Sequence, residues 1–352
     1  MSIEALQVQN LRSVVAASLE LHPRLNLIWG ANGAGKTSFL EALYLLGRGR
    51  SFRTRRTERL IRRGETALTV VGRTFGATGH TVGFGCSRTD GSHARVDGQT
   101  VSTFASLTTV CPTQVIDPSV HRLLEEGPLG RRQWLDWTVF HVEPGFIETW
   151  ARYGRALKQR NAALRNSPGT AFAWDSELAL LGEALAAARA RTLSAMLPTW
   201  EAISARLVPV PMDLTLHGGW PRDAALADAL ARARARDQSR GTTSVGAHRA
   251  DVHVRAEGRA ATEVLSRGQQ KLAAIALILA QLEFVQPLAE QPVMLLLDDA
   301  AAELDRASLS RFKAELSRLE AQQVWTSLTP DLPDLPKDSA VFHVEQGRVE
   351  TV

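Results

Sequence analysis

From Ile3 to Val8 apolar and polar positions alternate, the period of a strand, and Leu19-Glu20-Leu21 repeats the pattern briefly. The apolar run Leu25-Asn26-Leu27-Ile28-Trp29 then enters a glycine-rich loop. Between Thr37 and Leu46 the period lengthens to that of a helix, with Phe39, Leu40, Leu43 and Leu46 on one face. Leu68 to Val101 returns to strand spacing, punctuated by Thr89-Asp90-Gly91 and Val96-Asp97-Gly98, which predicts a small antiparallel sheet.

The middle of the chain is helical from about Gly127 to Leu207. Gly130 to Leu135 opens one helix, Asp175 to Met196 forms a long alanine-rich one, and Asn166-Ser167-Pro168-Gly169 separates them. No heptad persists long enough for a free coiled coil. The last third alternates again. A Gly/Thr/Ser-rich loop spans Arg240 to Gly246, with a helix at Gly268 to Phe284 and an apolar strand at Val293 to Leu297. A helix at Arg306 to Leu319 and the strand Gln323 to Thr326 follow, before a proline-rich turn. The pattern predicts an α/β fold interrupted by a helical insertion: one lobe from 1–125 and 240–352, and a second, mainly helical lobe from 126–239.

The length of 352 residues suits about two domains and a large core without disulfides. Cys86 and Cys111 have neither metal-ligand nor CxxC spacing, so a reducing, cytoplasmic setting is expected. The first residues lack a basic segment followed by an apolar one, and Leu272 to Leu282 is too short for a membrane span. A net charge of +4 and a pI near 9.4 permit nucleic-acid binding without demanding it. Arginine and alanine abundance also fits a GC-rich coding bias, so the local distribution of arginine must decide.

Gly30-Ala31-Asn32-Gly33-Ala34-Gly35-Lys36-Thr37 fits G-x-x-x-x-G-K-[ST] between a strand and a helix. Such a loop wraps a phosphate with backbone N–H groups at a helix N-terminus. Lys36 is expected to reach the β- and γ-phosphates, and the Thr37 hydroxyl to ligate Mg²⁺. Val293 to Asp299 is an apolar strand ending in two acids; Asp298 is the expected metal-side carboxylate and Asp299 the group that polarises water. In Leu265-Ser266-Arg267-Gly268-Gln269-Gln270, a Ser and Gly open a helix, either as an ordinary N-cap or as donors to an anion.

Together these motifs resemble the ABC-type ATPase head, which implies ATP and Mg²⁺ as cofactors and closure as a two-fold dimer. In that family a signature Ser of one subunit meets the γ-phosphate held by the other. Glu303-Leu304-Asp305 falls where that family has its D-loop. Asp299 stands in place of the common catalytic Glu and Thr326-Ser327 in place of the switch His, so slow hydrolysis is expected. A transporter ATPase would carry a much shorter insertion than the stretch between Gln114 and Ser266, and a structural-maintenance-of-chromosomes protein would carry long coils. A GTPase would want an N-K-x-D motif, which is absent.

Further stretches resemble the RecF family of bacterial recombination mediators. They are Asn10 to Ser13, Gly33 to Ser38, Ser51-Phe52-Arg53, Gly130 to Asp136, Gly246 to Asp251, Ser266 to Gln270 and Leu296 to Asp299. Arg267 departs from the usual Ser-Gln-Gly signature, and Ala250 stands where an acid is usual. The resemblance implies that Arg12 and Ser38 join the nucleotide loop, that Ser266, Gly268 and Gln269 complete the partner's site, and that Gln114 acts with Lys36, Asp298 and Asp299. It implies binding to duplex DNA near single-strand gaps in the cytoplasm, in gap repair and the SOS response. RecO and RecR are the implied partners, loading RecA on single strands coated with SSB. Arg48, Arg50, Arg53, Arg55, Arg56, Arg59, Arg62 and Arg63 against one acid, Glu58, supply a candidate phosphate-binding stretch. The first five are the expected DNA contacts. Two tyrosines argue against a base-stacking platform.

Overall fold

The computed structural model describes residues 3–76, 79–101, 103–289, 292–300, 304–330 and 339–352. In chain order the elements are β1 (Ile3–Leu11), β2 (Val14–Glu20), β3 (Leu25–Trp29), α1 (Lys36–Arg48), β4 (Ala67–Thr74), β5 (Thr81–Ser87), β6 (Gly91–Val96) and β7 (Gln99–Thr100). Then come α2 (Ala105–Val110), β8 (Thr113–Ile116), α3 (Arg122–Glu125), α4 (Pro128–Val142), α5 (Phe146–Asn166), α6 (Asp175–Leu207), β9 (Met212–His217) and α7 (Leu226–Arg240). The chain closes with β10 (Asp251–Ala256), β11 (Arg259–Ala260), α8 (Ala261–Val264), α9 (Arg267–Val285), β12 (Met294–Leu297), α10 (Arg306–Arg318), β13 (Gln322–Ser327), β14 (Ala340–Glu345) and β15 (Arg348–Thr351).

Two compact units emerge: Met1–Val120 with Ala289–Val352, and His121–Leu288. The return to the first unit therefore lies after α9, not at residue 240. The reason is packing: β10 pairs with β9, and the apolar α9 lies along α6, so both stay with the inserted unit.

The first unit holds two sheets. One is antiparallel, in the order β2-β1-β4-β5-β6-β7; the other is mixed, in the order β15-β14-β3-β13-β12-β8. The first is larger than the hairpins between Leu68 and Val101 suggest, because β1 pairs with β4 across a long connection. In the second, β12 is flanked in parallel by β13 and β8, so all of Met294–Leu297 is buried. Helix α1 contacts strands of both sheets, and Ala42, Tyr44 and Leu45 are buried along with the expected face. A helix covered on all sides is apolar all round, and this one is nearly so.

The second unit is mainly helical, with a three-stranded antiparallel sheet in the order β11-β10-β9 that the sequence pattern does not suggest. Helix α6 runs past Met196 and through Pro198 to Leu207. Buried Trp200, Ile203 and Leu207 anchor the turns beyond the proline, offsetting the hydrogen bond that proline removes. No helix among the described residues is long and apolar enough to cross a membrane.

Candidate functional site

The loop after β3 turns tightly because glycine occupies its crowded points. A Cβ on Gly30 would strike the carbonyl oxygen of Val344, and one on Gly35, at φ 116°, would lie 2.9 Å from Ser13 Oγ. Gly347, in the β14–β15 turn, donates to the Ala34 carbonyl at 2.7 Å, and the Ser38 N–H donates to Gly35 at 2.9 Å. Ala31, Asn32 and Gly33 form the exposed crest. Lys36 is buried, and its ammonium donates to the Gly30 and Ala31 carbonyls at 2.8 and 3.1 Å. Among the described residues no carboxylate lies within ion-pair distance of it. A phosphate can replace two neutral carbonyls there and supply the missing anion.

Strand β12 delivers Asp298 to the same end of the sheet. The Thr37 hydroxyl donates to Asp298 Oδ1 at 2.9 Å across a sequence separation of 261 residues. Burial pushes the Asp298 carboxyl up from its ordinary value; hydrogen bonds from Thr37 and Thr326 oppose this, Asp299 adds to it, and the charge of Arg53 opposes it. A hydroxyl and a carboxylate side by side are hard oxygen donors, the set that suits Mg²⁺. The residues therefore fit that ion.

Asp299 takes a left-handed conformation at φ 43°. Its N–H donates to Thr326 Oγ1 at 2.9 Å, and that hydroxyl lies 3.1 Å from Asp298 Oδ1 and 3.5 Å from Asp299 Oδ1. In the sequence Thr326 marks only the place of a missing histidine; the fold makes it the link between the two acids. The signal in the sequence is a hydroxyl residue near the end of an apolar strand, too common to weigh alone.

Other expected residues lie elsewhere. Gln114 pairs with Leu295, three residues short of Asp298, about 10 Å along a strand at ~3.3 Å per residue. It is buried in the sheet. The Arg12 guanidinium pairs with buried Glu41 through two nitrogens, one at 2.9 Å from Oε1, so its charge is met within the protein. The Ser51 hydroxyl donates to the same carboxylate at 2.6 Å and accepts from the Arg53 and Thr54 N–H groups. Glu41 thus ties Arg12 to the start of the arginine-rich stretch. There, Arg50, Arg53, Arg55 and Arg56 are exposed. Arg48 is half-buried, 5.9 Å above the Tyr44 ring, and burial lowers its pKa. Arg62 donates to the Ser13 carbonyl at 2.8 Å.

In the second unit Ser266 caps α9: its hydroxyl accepts from the Gln269 N–H at 3.4 Å, and Gln269 Oε1 accepts from the Ser266 N–H at 2.9 Å. Ser266, Arg267 and Gly268 are exposed. Arg267 lies 3.3 Å from His121 Nε2. Glu303 falls outside the described residues, and Asp305 caps α10.

The RecF/RecN/SMC N-terminal domain family matches residues 2–349. A protein of Pseudomonas paraeruginosa named DNA replication and repair protein RecF is 40% identical over 362 residues, covering 99% of this chain and 97% of its own. One of Pseudomonas putida with the same name is 39% identical over 368 residues, covering 99% and 98%. Among solved structures, the recombination mediator protein RecF-ATP in the RecFOR pathway superimposes with a TM-score of 0.89 at 24% identity, covering 100% of this chain and 97% of that one. An Smc head bound to the C-winged helix domain of ScpA gives 0.60 at 17% identity, covering 100% and 97%.

Proposed function

The chain belongs to the RecF family and has an ABC-type ATPase-head fold, and from that premise we propose that it is an ATP-gated DNA clamp of gap repair. The observation that carries this reading is the Thr37–Asp298 hydrogen bond beside a lysine met only by carbonyls. In this reading the Gly30–Ser38 loop holds the ATP phosphates, with Lys36 on the β- and γ-phosphates. Thr37 and Asp298 hold Mg²⁺, which supplies charge neutralisation between the phosphates when bound. Asp299 orients the attacking water. An aspartate is one methylene shorter than the usual glutamate and is held by Thr326, which supports slow turnover.

Each site is then completed by a second copy, with Ser266 and Gly268 presenting a hydroxyl and a helix N-terminus to the γ-phosphate. ATP binds the closed dimer and so stabilises it by mass action. Exposed Arg50, Arg53, Arg55 and Arg56 supply sequence-independent contacts to duplex phosphates near single-strand gaps. Cooperation with RecO and RecR in loading RecA, in the cytoplasm, completes the role. Of the arginines, Arg53 has a second allegiance, because its charge reaches Asp298.

Lys36→Met is expected to abolish ATP-dependent dimerisation, read as molar mass by size exclusion with light scattering, with and without duplex DNA. A variant that dimerises with ATP like the parent sinks the coupling. No mass shift for the parent with ATP and DNA sinks the clamp.

A further inference from the structure

Gly246-Ala247-His248-Arg249-Ala250-Asp251 has no part in the function proposed above, yet three arginines converge on this turn beside its own Arg249. Arg131 pairs with Asp251 through two bonds of 2.8 and 3.0 Å and also donates to the carbonyls of Leu123, Leu124 and Glu126. Buried Arg189 pairs with Asp136 at 2.7 and 2.9 Å and donates to the Ala247 carbonyl at 2.7 Å. Arg132 donates to the Ala250 carbonyl at 2.7 Å, and Arg249 to the Thr243 carbonyl at 3.2 Å. Among the described residues, neither Arg132 nor Arg249 has a carboxylate within ion-pair distance. Asp136 and Asp251 are each held by another arginine. Asp237, whose charge reaches His248, is buried and held by Arg160 at 2.8 Å. Two positive charges at the turn, one from α4 and one its own, are therefore without an ion-pair partner among the described residues.

The surroundings respond to that surplus. Burial, then the charge of Arg189, lowers the Arg132 guanidinium; Asp251 and Asp136 oppose, and Arg249 adds. His248 falls to about 4, first through burial, with the Thr243 carbonyl opposing and Arg249 and Arg132 adding. A neutral imidazole fits its contacts: Tyr153 OH lies 2.8 Å from Nδ1, and Nε2–H donates to the Thr243 carbonyl at 3.1 Å. Each free arginine uses one nitrogen on a carbonyl and keeps its remaining N–H groups and its full charge. Arg249 is exposed and Arg132 half-buried, so each is open to solvent. A cation withdrawn from water is costly until an anion meets it.

We propose that Arg132 of α4 and Arg249 of the Thr243–Asp251 turn form a binding site for a phosphate group on the second unit. A guanidinium fork matches two oxygens of one phosphate, which a point charge cannot. The group belongs to a nucleic-acid backbone or to free phosphate; the first source rests on the DNA-binding reading above, and the second does not.

The test uses the full chain and two single variants, Arg249→Gln at the exposed position and Arg132→Gln at the half-buried one. Thermal unfolding in inorganic phosphate is compared with chloride at equal ionic strength. The parent gains Tm in phosphate, part of it from the Gly30–Ser38 loop, and Arg249→Gln shows a smaller gain than the parent while keeping its Tm in chloride. With ATP and a short duplex, each variant also lowers the slope of log K against log salt, by about 0.9 for each backbone phosphate it no longer neutralises. A phosphate gain as large as the parent's in both variants overturns the site, whatever happens to their Tm in chloride. Loss of the gain with an unchanged salt slope identifies free phosphate as the ligand. A parent that responds to phosphate but binds no duplex keeps the site and overturns the clamp instead.

Discussion

Around the glycine-rich loop of the first unit, charges are met by neutral partners: Lys36 by two carbonyls, Asp298 by two hydroxyls. Inside the second unit, buried charges meet each other. Arg160, fully buried, bonds Asp175 and Asp237 at 2.8 Å each, and Arg189 holds Asp136. The difference separates two uses of polar groups. A carbonyl or hydroxyl can be exchanged for a phosphate or a metal ion at little cost. A buried ion pair cannot be opened without stranding a charge. The first arrangement is poised to bind, and the second holds its helices in place.

Four measurements would break or sharpen that contrast. Arg160→Ala leaves buried Asp237 without a cation and Asp175 with Arg234 alone, and is expected to cost about 3–5 kcal/mol of stability in chemical denaturation. Lys36→Met, replacing a cation met only by carbonyls, should change stability far less in the same assay.

Next comes the pH dependence of the second unit. His248 has a folded pKa of about 4, below the ordinary 6.5, so the unfolded chain binds more protons between these values. Stability therefore rises with pH: this contribution is full above 6.5 and is lost as pH falls toward 4. At ~1.4 kcal/mol per pKa unit, the loss is roughly 3 kcal/mol at most. Unfolding of His248→Gln should show a shallower acid slope than the parent; equal slopes would count against a neutral buried imidazole.

Thr326→Val removes the hydroxyl between the two acids and leaves the Asp299 N–H without its partner. About 1–3 kcal/mol of destabilisation is expected, with Thr326→Ser recovering most of it. The smallest effect belongs to Ser266→Ala, about 1 kcal/mol for a lost helix cap. If Ser266 also meets a second copy's nucleotide, that variant loses ATP-dependent dimerisation far beyond what its stability explains.

Much of the chain's organisation is legible from local pattern. The strand Leu25–Trp29, the loop and the start of α1 fall where periodicity and glycine spacing put them, since a phosphate loop is specified by contiguous residues. Asp298 is legible too, because a buried parallel strand must be apolar and an acid at its end stands out. Arg12 and Gln114 are not: whether an arginine meets Glu41 or a ligand, and how deep a glutamine sits in a strand, depend on register and on neighbours distant in sequence. Nor is the strand pairing of β9, β10 and β11.

The amino-acid sequence by itself determined the kinds of chemistry available and the α/β, α, α/β order. Both reside in short-range spacing: glycines free to turn, a lysine and threonine at a helix start, and arginines crowded into one stretch. Only the tertiary structure decided which groups are neighbours. It set Thr37 against Asp298, slid Thr326 between two carboxylates, kept α9 with the inserted unit and left Arg132 and Arg249 without an acid. Those outcomes depend on burial and pairing across tens to hundreds of residues, where the cost of an unmet charge or hydrogen bond, and not local propensity, selects the arrangement.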